Sequence, residues 1–268
     1  MTIYEQSLKL LNQRQKQLDP DNYNIVFMGD SWVGDKSYTS NEIFRSAMEG
    51  AKVYNPLLIL HGGDLVFNGE KEFLKFFIDP KNNFVPDLPL FVIAGNHDMD
   101  RRVTGNAAVA NFKALIGPLH YTLNIPDYRF TLIVLDSLYH YKYSNYGLTD
   151  TELKYLRDNL QHSYQNTFVA MHAPPATDTW VPGPGDDTYF TIDSEAFFNE
   201  VEGDATAVLV SHIHKFDTTE YKNTKLYLSG GGGATLYKNA IFHILVITIK
   251  KNNGKNELSF KVIPIGRG

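Results

Sequence analysis

The 268-residue chain contains no cysteine. That excludes disulfide scaffolds, zinc fingers, thiolate metal sites and a cysteine nucleophile. Any metal must be held by His, Asp, Glu or Asn. Long apolar runs are also missing. The longest, around Ile241–Ile249, falls far short of the ~20 residues a membrane-spanning helix requires. It contains His243 and reads as a buried strand. A signal-peptide core is lacking as well, because Glu5, Lys9 and Arg14 interrupt the first twenty residues. Tyr4, Leu8, Leu11 and Leu18 instead predict an amphipathic helix over 1–20, packed on the rest and ended near Asp19-Pro20. These features read as a soluble cytoplasmic protein without a membrane partner. Nor is there an excess of positive charge: Lys and Arg total 25 against 30 Asp and Glu, a net charge of −5. Such a balance argues against a nucleic-acid partner. It leaves small phosphorylated substrates open, because a bound metal reverses the local field.

What is present is ordinary globular usage, 43% hydrophobic and 21% charged, so disorder is excluded. No repeat or Ser/Gly linker divides the chain, and 1–268 reads as a single domain. Apolar β-rich runs end abruptly in polar, glycine-containing corners. Asn24–Met28 ends in Gly29-Asp30, Pro56–Leu60 in Gly62-Gly63-Asp64, and Leu90–Ala94 in Gly95-Asn96-His97-Asp98. Helical stretches at Asn41–Ala51 and Glu70–Ile78 separate them, which predicts βαβ units and a largely parallel sheet. Further on, Tyr121–Ile125 and Tyr128–Leu135 predict a hairpin. Thr149 with Glu152 opens a capped helix to about His162. Short strands follow at Thr167–Met171, Ala205–Val210 and Lys225–Leu228. Ala240–Lys250 and Glu257–Ile263 flank an Asn-Asn-Gly turn. The fold class is therefore α/β at first and β-rich later, with two sheets.

Polar residues stand at the C-terminal ends of five predicted strands: Asp30, Asp64, Asn96-His97-Asp98, His172, and His212 with His214. In open α/β sheets these ends line the ligand crevice. A single Asp or His after a strand is usually a turn residue. Five such corners point to a convergent site. Asp, Asn and His make a nitrogen and oxygen ligand set suited to Mn, Fe, Zn, Ni or Mg. If extended, His212-Ile213-His214 puts both imidazoles on one side, a spacing that serves two adjacent metals.

Gly29-Asp30, Gly63-Asp64, Gly95-Asn96-His97-Asp98, Met171-His172-Ala173-Pro174 and Ser211-His212-Ile213-His214 occur in that order. Together they resemble the calcineurin-like metallophosphoesterase superfamily over roughly residues 24–230. The resemblance implies a four-layer αββα sandwich with two mixed sheets and a dinuclear metal site at the strand C-terminal loops. It also implies hydrolysis of a phosphomonoester or phosphodiester by metal-bound hydroxide. By the same resemblance Asp64 bridges two divalent metal ions. Asn96, His172 and His212 complete the second site; Asp30 and His214 belong to the first. His97 contacts phosphate and protonates the leaving oxygen, with Asp98 orienting it. Asn96 and His97 face the substrate. Apart from the resemblance, Arg101 and Arg102, just after this corner, read as cations that could neutralise a substrate's phosphate.

The chain departs from the pattern in three places. Trp32 stands where the superfamily usually has a metal-binding His, and indole N–H is a donor only. Phe67 occupies the position at which the purple acid phosphatase branch carries a Tyr. Ser211 replaces a usual Gly, a change expected to be minor. The first metal site is thus expected to be the weaker, with Ser31, Asp35 or His61 as candidate substitutes. An eroded site on a non-catalytic binding protein is the alternative function. His120, His140, His162 and His243 lack motif context, and Gly230–Gly233 reads as a close-packed loop rather than a phosphate cradle.

Overall fold

The computed structural model describes residues 1–34, 38–99, 106–138, 146–181, 190, 193–252 and 254–266. Two mixed sheets face each other. The first has strand order β11(Lys255–Pro264)-β10(His243–Asn252)-β1(Asn22–Met28)-β2(Leu58–His61)-β3(Leu90–Val92). Its β1, β2 and β3 are parallel, while β10 and β11 run as an antiparallel hairpin beside β1. The second has order β4(Tyr121–Ile125)-β5(Phe130–Val134)-β6(Asn166–Ala170)-β7(Ala207–Val210)-β9(Thr224–Ser229)-β8(Phe216–Tyr221). Here β5, β6, β7 and β9 are parallel and the edges antiparallel.

Strand periodicity sorts side chains into layers. Tyr23, Ile25 and Phe27 of β1 join Phe130, Leu132 and Val134 of β5 and Leu245, Ile247 and Ile249 of β10 in the core between the sheets. The alternate residues Val26, Met28, Ile133, Ile244 and Val246 pack outward against helices. Both faces are buried, which is why these strands read as unbroken apolar runs. Helices α2(Tyr38–Val53) and α3(Lys71–Phe84) follow β1 and β2, and α4(Asn106–Leu115) follows β3. α5(Asp150–Leu160) and α6(Ser194–Val201) follow β5 and β6. The result is the expected αββα order. Among the described residues no helix is long and apolar enough to cross a membrane.

The N-terminal helix α1(Ile3–Arg14) stops before the expected Asp19-Pro20 boundary. A capping box of Thr2 with Glu5 starts it. Ser7, buried on its inner face, donates its hydroxyl to the Leu90 carbonyl and accepts from the Leu90 amide. It thereby satisfies one residue on the open edge of β3.

The later half holds the seven expected strands and one more, β8. It also holds α6, which completes a second run of parallel βαβ units; α6 and α4 both lie outside the expected helices. β8 is missed for a different reason: its polar sequence, FDTTEY, belongs to an edge strand with little burial. All five chemistry-bearing corners follow parallel strands. The facing sheets bring those C-terminal ends to one place.

Candidate metal centre

The corners are held in unusual backbone. Asp30, Trp32, Asp64 and His212 have φ of 60°, 46°, 53° and 71°, in the left-handed region. For an aromatic residue this is a strained conformation, of the kind that clusters at functional sites. Gly63 shows why the corner needs glycine: at φ +98° a Cβ would also lie 2.6 Å from His172 Nδ1.

Two ligand-type clusters share Asp64. In one, an atom from each of Asp64, His172 and His212 lies within 4.8 Å of the others; in the second, Asp30, Asp64 and His214 do the same. Asn96 joins the former, its Oδ1 3.0 Å from His172 Nε2. His172 Nε2 is also 3.2 Å from His212 Nδ1 and 3.4 Å from Asp64 Oδ1. The His172 Nδ1–H donates to the Gly62 carbonyl at 2.7 Å, leaving Nε2 as the lone-pair nitrogen. Ligand-type atoms of four residues therefore lie close together, an arrangement that suits a cation. Burial, reinforced by His172, lowers His212 to about 3, so its imidazole is neutral and able to ligate.

In the second cluster Asp30 Oδ1 lies 3.5 Å from His214 Nε2. It is fully buried and has no hydrogen-bond partner among the described residues. The donor set and this orphaned oxygen fit a divalent cation. Burial pushes the Asp30 carboxyl up, but His214 and the Ser211 hydroxyl outweigh it and hold it low. Burial likewise lowers His214, yet the adjacent Asp30 carboxylate raises it to about 9. His214 Nδ1 donates to the Thr235 carbonyl at 2.6 Å.

The two histidines of the His-x-His motif do not share an extended strand. Ile213 N–H donates to the Ser211 carbonyl and Lys215 N–H to that of Ile213, two successive tight turns. His212 turns toward His172 and His214 toward Asp30.

His97 lies beside Asp64: its amide donates to Asp64 Oδ1 at 2.8 Å, and its Nε2 is 4.0 Å from Oδ2. The orienting group behind its ring is the Phe67 carbonyl, 2.9 Å from Nδ1. This corrects the expectation for Asp98. One Asp98 oxygen accepts from the Leu65 and Val66 amides and the other from Gly95, which ties the β2 and β3 corners together. Burial raises its carboxyl well above the usual range. Asp98 thus shapes the loops rather than steering His97.

Three contributors escaped the sequence reading. Trp32 is within the site: its indole N–H donates to Asp64 Oδ2 at 3.3 Å, and its ring lies 4.5 Å from His97 and 4.9 Å from His214. Tyr146 lies 4.6 Å from the His212 ring. Ser211 is not a minor change. Its hydroxyl donates to Asp30 Oδ2 at 2.5 Å and fills the space a Cβ on Gly29 would take. The anchoring carbonyls of Gly62, Phe67 and Thr235 carry no side-chain signal a sequence could reveal.

Other candidates lie elsewhere. His61 faces Ser31 Oγ at 3.0 Å and packs against Phe44 and Phe77, with burial lowering it to about 3. Ser31 donates to the Leu65 carbonyl. Neither supplies a further ligand. Asp35, Arg101, Arg102 and His140 fall outside the described residues. His120 pairs with Glu152, His162 is exposed, and His243 is buried against Ser229. A Cβ on Gly231 would lie 2.1 Å from His243 Nδ1, so the glycine run is close-packed backbone.

A family model described as calcineurin-like phosphoesterase matches residues 15–216. No curated protein matches. Among solved structures the chain is similar to a dimetal phosphatase from Danio rerio, at 12% identity and a TM-score of 0.63. That match covers 92% of this chain and all of the other. It is also similar to a putative 5'-nucleotidase from Staphylococcus aureus, at 11% identity and 0.60, covering 91% of this chain and 54% of the other. GAP50, the anchor in the inner membrane complex of Plasmodium, matches at 12% and 0.62, over 91% and 84% of the two chains. At these identities the likeness is one of fold.

Proposed function

Given that the chain belongs to the calcineurin-like phosphoesterase family, we propose that it is a phosphatase or phosphodiesterase acting on a small phosphorylated substrate. The observation that carries this reading is the convergence of Asp64, Asn96, His172 and His212 beside the orphaned Asp30 oxygen and His214. We take 1–268 as one catalytic domain.

In this reading the two clusters would hold two divalent cations and share Asp64, with manganese or iron proposed among Mn, Fe, Zn, Ni and Mg. Asn96, His172 and His212 would hold the second; Asp30 and His214 would hold the first. When bound, such a pair activates water and neutralises phosphate charge. The chain's own residues do the rest. The Gly62 and Thr235 carbonyls fix the tautomers of His172 and His214, so that each Nε2 faces inward. The Phe67 carbonyl takes the His97 Nδ1–H, so His97 delivers a proton to the leaving oxygen from Nε2 in its imidazolium form. Asn96 and His97 face the phosphate, and Arg101 is a proposed substrate-binding cation.

The test is hydrolysis of an aryl phosphate and its bis-ester in Mn²⁺, with His97→Ala as control. We expect metal-dependent turnover that falls about 10²–10⁴-fold in the variant. No metal-dependent hydrolysis of either ester would support instead a binding protein built on the same fold.

A further inference from the structure

The outer strands of the two sheets are not equally protected. Ser7 of α1 occupies part of the β3 edge. β4 and β8 are only five and six residues long. β11 has ten residues and pairs with β10 from Lys255 to Pro264 without a bulge. Beyond the strand, the Ile265 N–H donates to the Phe242 carbonyl in the same register, so the odd-numbered residues of β11 bond to β10. The backbone amides and carbonyls of Asn256, Leu258, Phe260 and Val262 therefore point away from the sheet. Among the described residues no backbone group pairs with them. A long, unbulged edge is a template for another strand.

The side chains say which strand. Lys255, Glu257, Ser259 and Lys261 are exposed on one face. Leu258, Phe260 and Val262 are half-buried on the other, where the core between the sheets ends. Glu257 accepts from the exposed Asn252 amide at 3.0 Å, and among the described residues neither it nor Lys261 is in an ion pair. We propose that the protein associates with a second copy of itself through β11, antiparallel and centred on Ser259. With the axis there, each Glu257 faces the other copy's Lys261, and each Leu258 faces its Phe260. Opposite charges meet on the outer face and apolar side chains on the inner, both in one register. The neighbouring registers fail. An axis at Glu257 sets Glu against Glu, and one at Lys261 sets Lys against Lys. An axis at Leu258 sets Lys255 against Lys261, and one at Phe260 leaves Glu257 opposite Ile263. The charges on this edge thus select one pairing and resist slippage. The two five-stranded sheets become one continuous sheet.

Sedimentation velocity of the full chain over a range of concentrations tests it. The wild type is expected to pass from monomer to dimer as concentration rises. Lys261→Glu sets Glu against Glu twice in each dimer and should weaken association about tenfold. The double variant Glu257→Lys/Lys261→Glu restores both pairs and should return the dimer. Both positions are exposed, so these changes leave the core intact. Ser259→Cys should cross-link to its own mate on oxidation. Residues facing each other there have Cα atoms about 4.5 Å apart, within disulfide reach, and the chain has no other cysteine. A wild type that stays monomeric at every concentration overturns the proposal. So does a dimer that Lys261→Glu leaves intact, that the double variant fails to restore, or that Ser259→Cys does not cross-link.

Discussion

The two halves of the centre share Asp64, yet they are built on different terms. Around His172 four ligand-type atoms gather, Asn96 Oδ1, His172 Nε2, His212 Nδ1 and Asp64 Oδ1, the last also accepting the His97 amide. Around Asp30 there are fewer: beyond Asp64 only His214 and Asp30 itself contribute, and Asp30 Oδ1, facing His214, has no hydrogen-bond partner among the described residues. The difference teaches that a shared carboxylate does not make two sites equal, because each half gathers its own number of ligands.

The largest effect should come from removing what the halves share. Asp64→Asn replaces a carboxylate oxygen with an amide and should lower phosphoester turnover by roughly 10³-fold, as several kcal/mol of charge stabilisation is lost. Elemental analysis should show both sites depleted. If one site stays filled, Asp64 is not their common element. Next, breaking the halves one at a time should sharpen the contrast. His172→Ala should weaken metal bound beside Asn96 and His212 about 10–100-fold, while His214→Ala should weaken only metal bound beside Asp30. Equal losses of bound manganese in a Mn²⁺ titration would erase the difference between them. The smallest effect belongs to Asp98→Asn, which trades one of the oxygens holding the Leu65, Val66 and Gly95 amides for an amide donor. It should cost about 1–3 kcal/mol of stability by denaturant unfolding. Bound manganese per chain should be unchanged.

Much of this was legible in the sequence. The apolar runs of β1, β2, β5 and β6 announced strands because both faces are buried, and the glycine-flanked corners announced where they end. The polar edge strand β8 lacked that signal. The site was legible as residue types at strand ends, but not as roles. Asp98 follows His97 directly, and adjacency suggested a partnership that the backbone geometry refuses. The group behind His97 is a carbonyl, which any residue at 67 would supply. Trp32 and Ser211 read as a loss and a neutral change. Their significance lies in a hydrogen bond each makes across more than thirty residues, which no local pattern encodes.

The most direct test of the account is the position of bound metal. Crystals of the full chain grown with limiting and then excess Mn²⁺ should be measured for anomalous scattering at the manganese edge. The account predicts one peak at limiting metal, bounded by Asp64, Asn96, His172 and His212. A second, beside Asp30 and His214, should appear in excess. No peak among these residues at either concentration would contradict it.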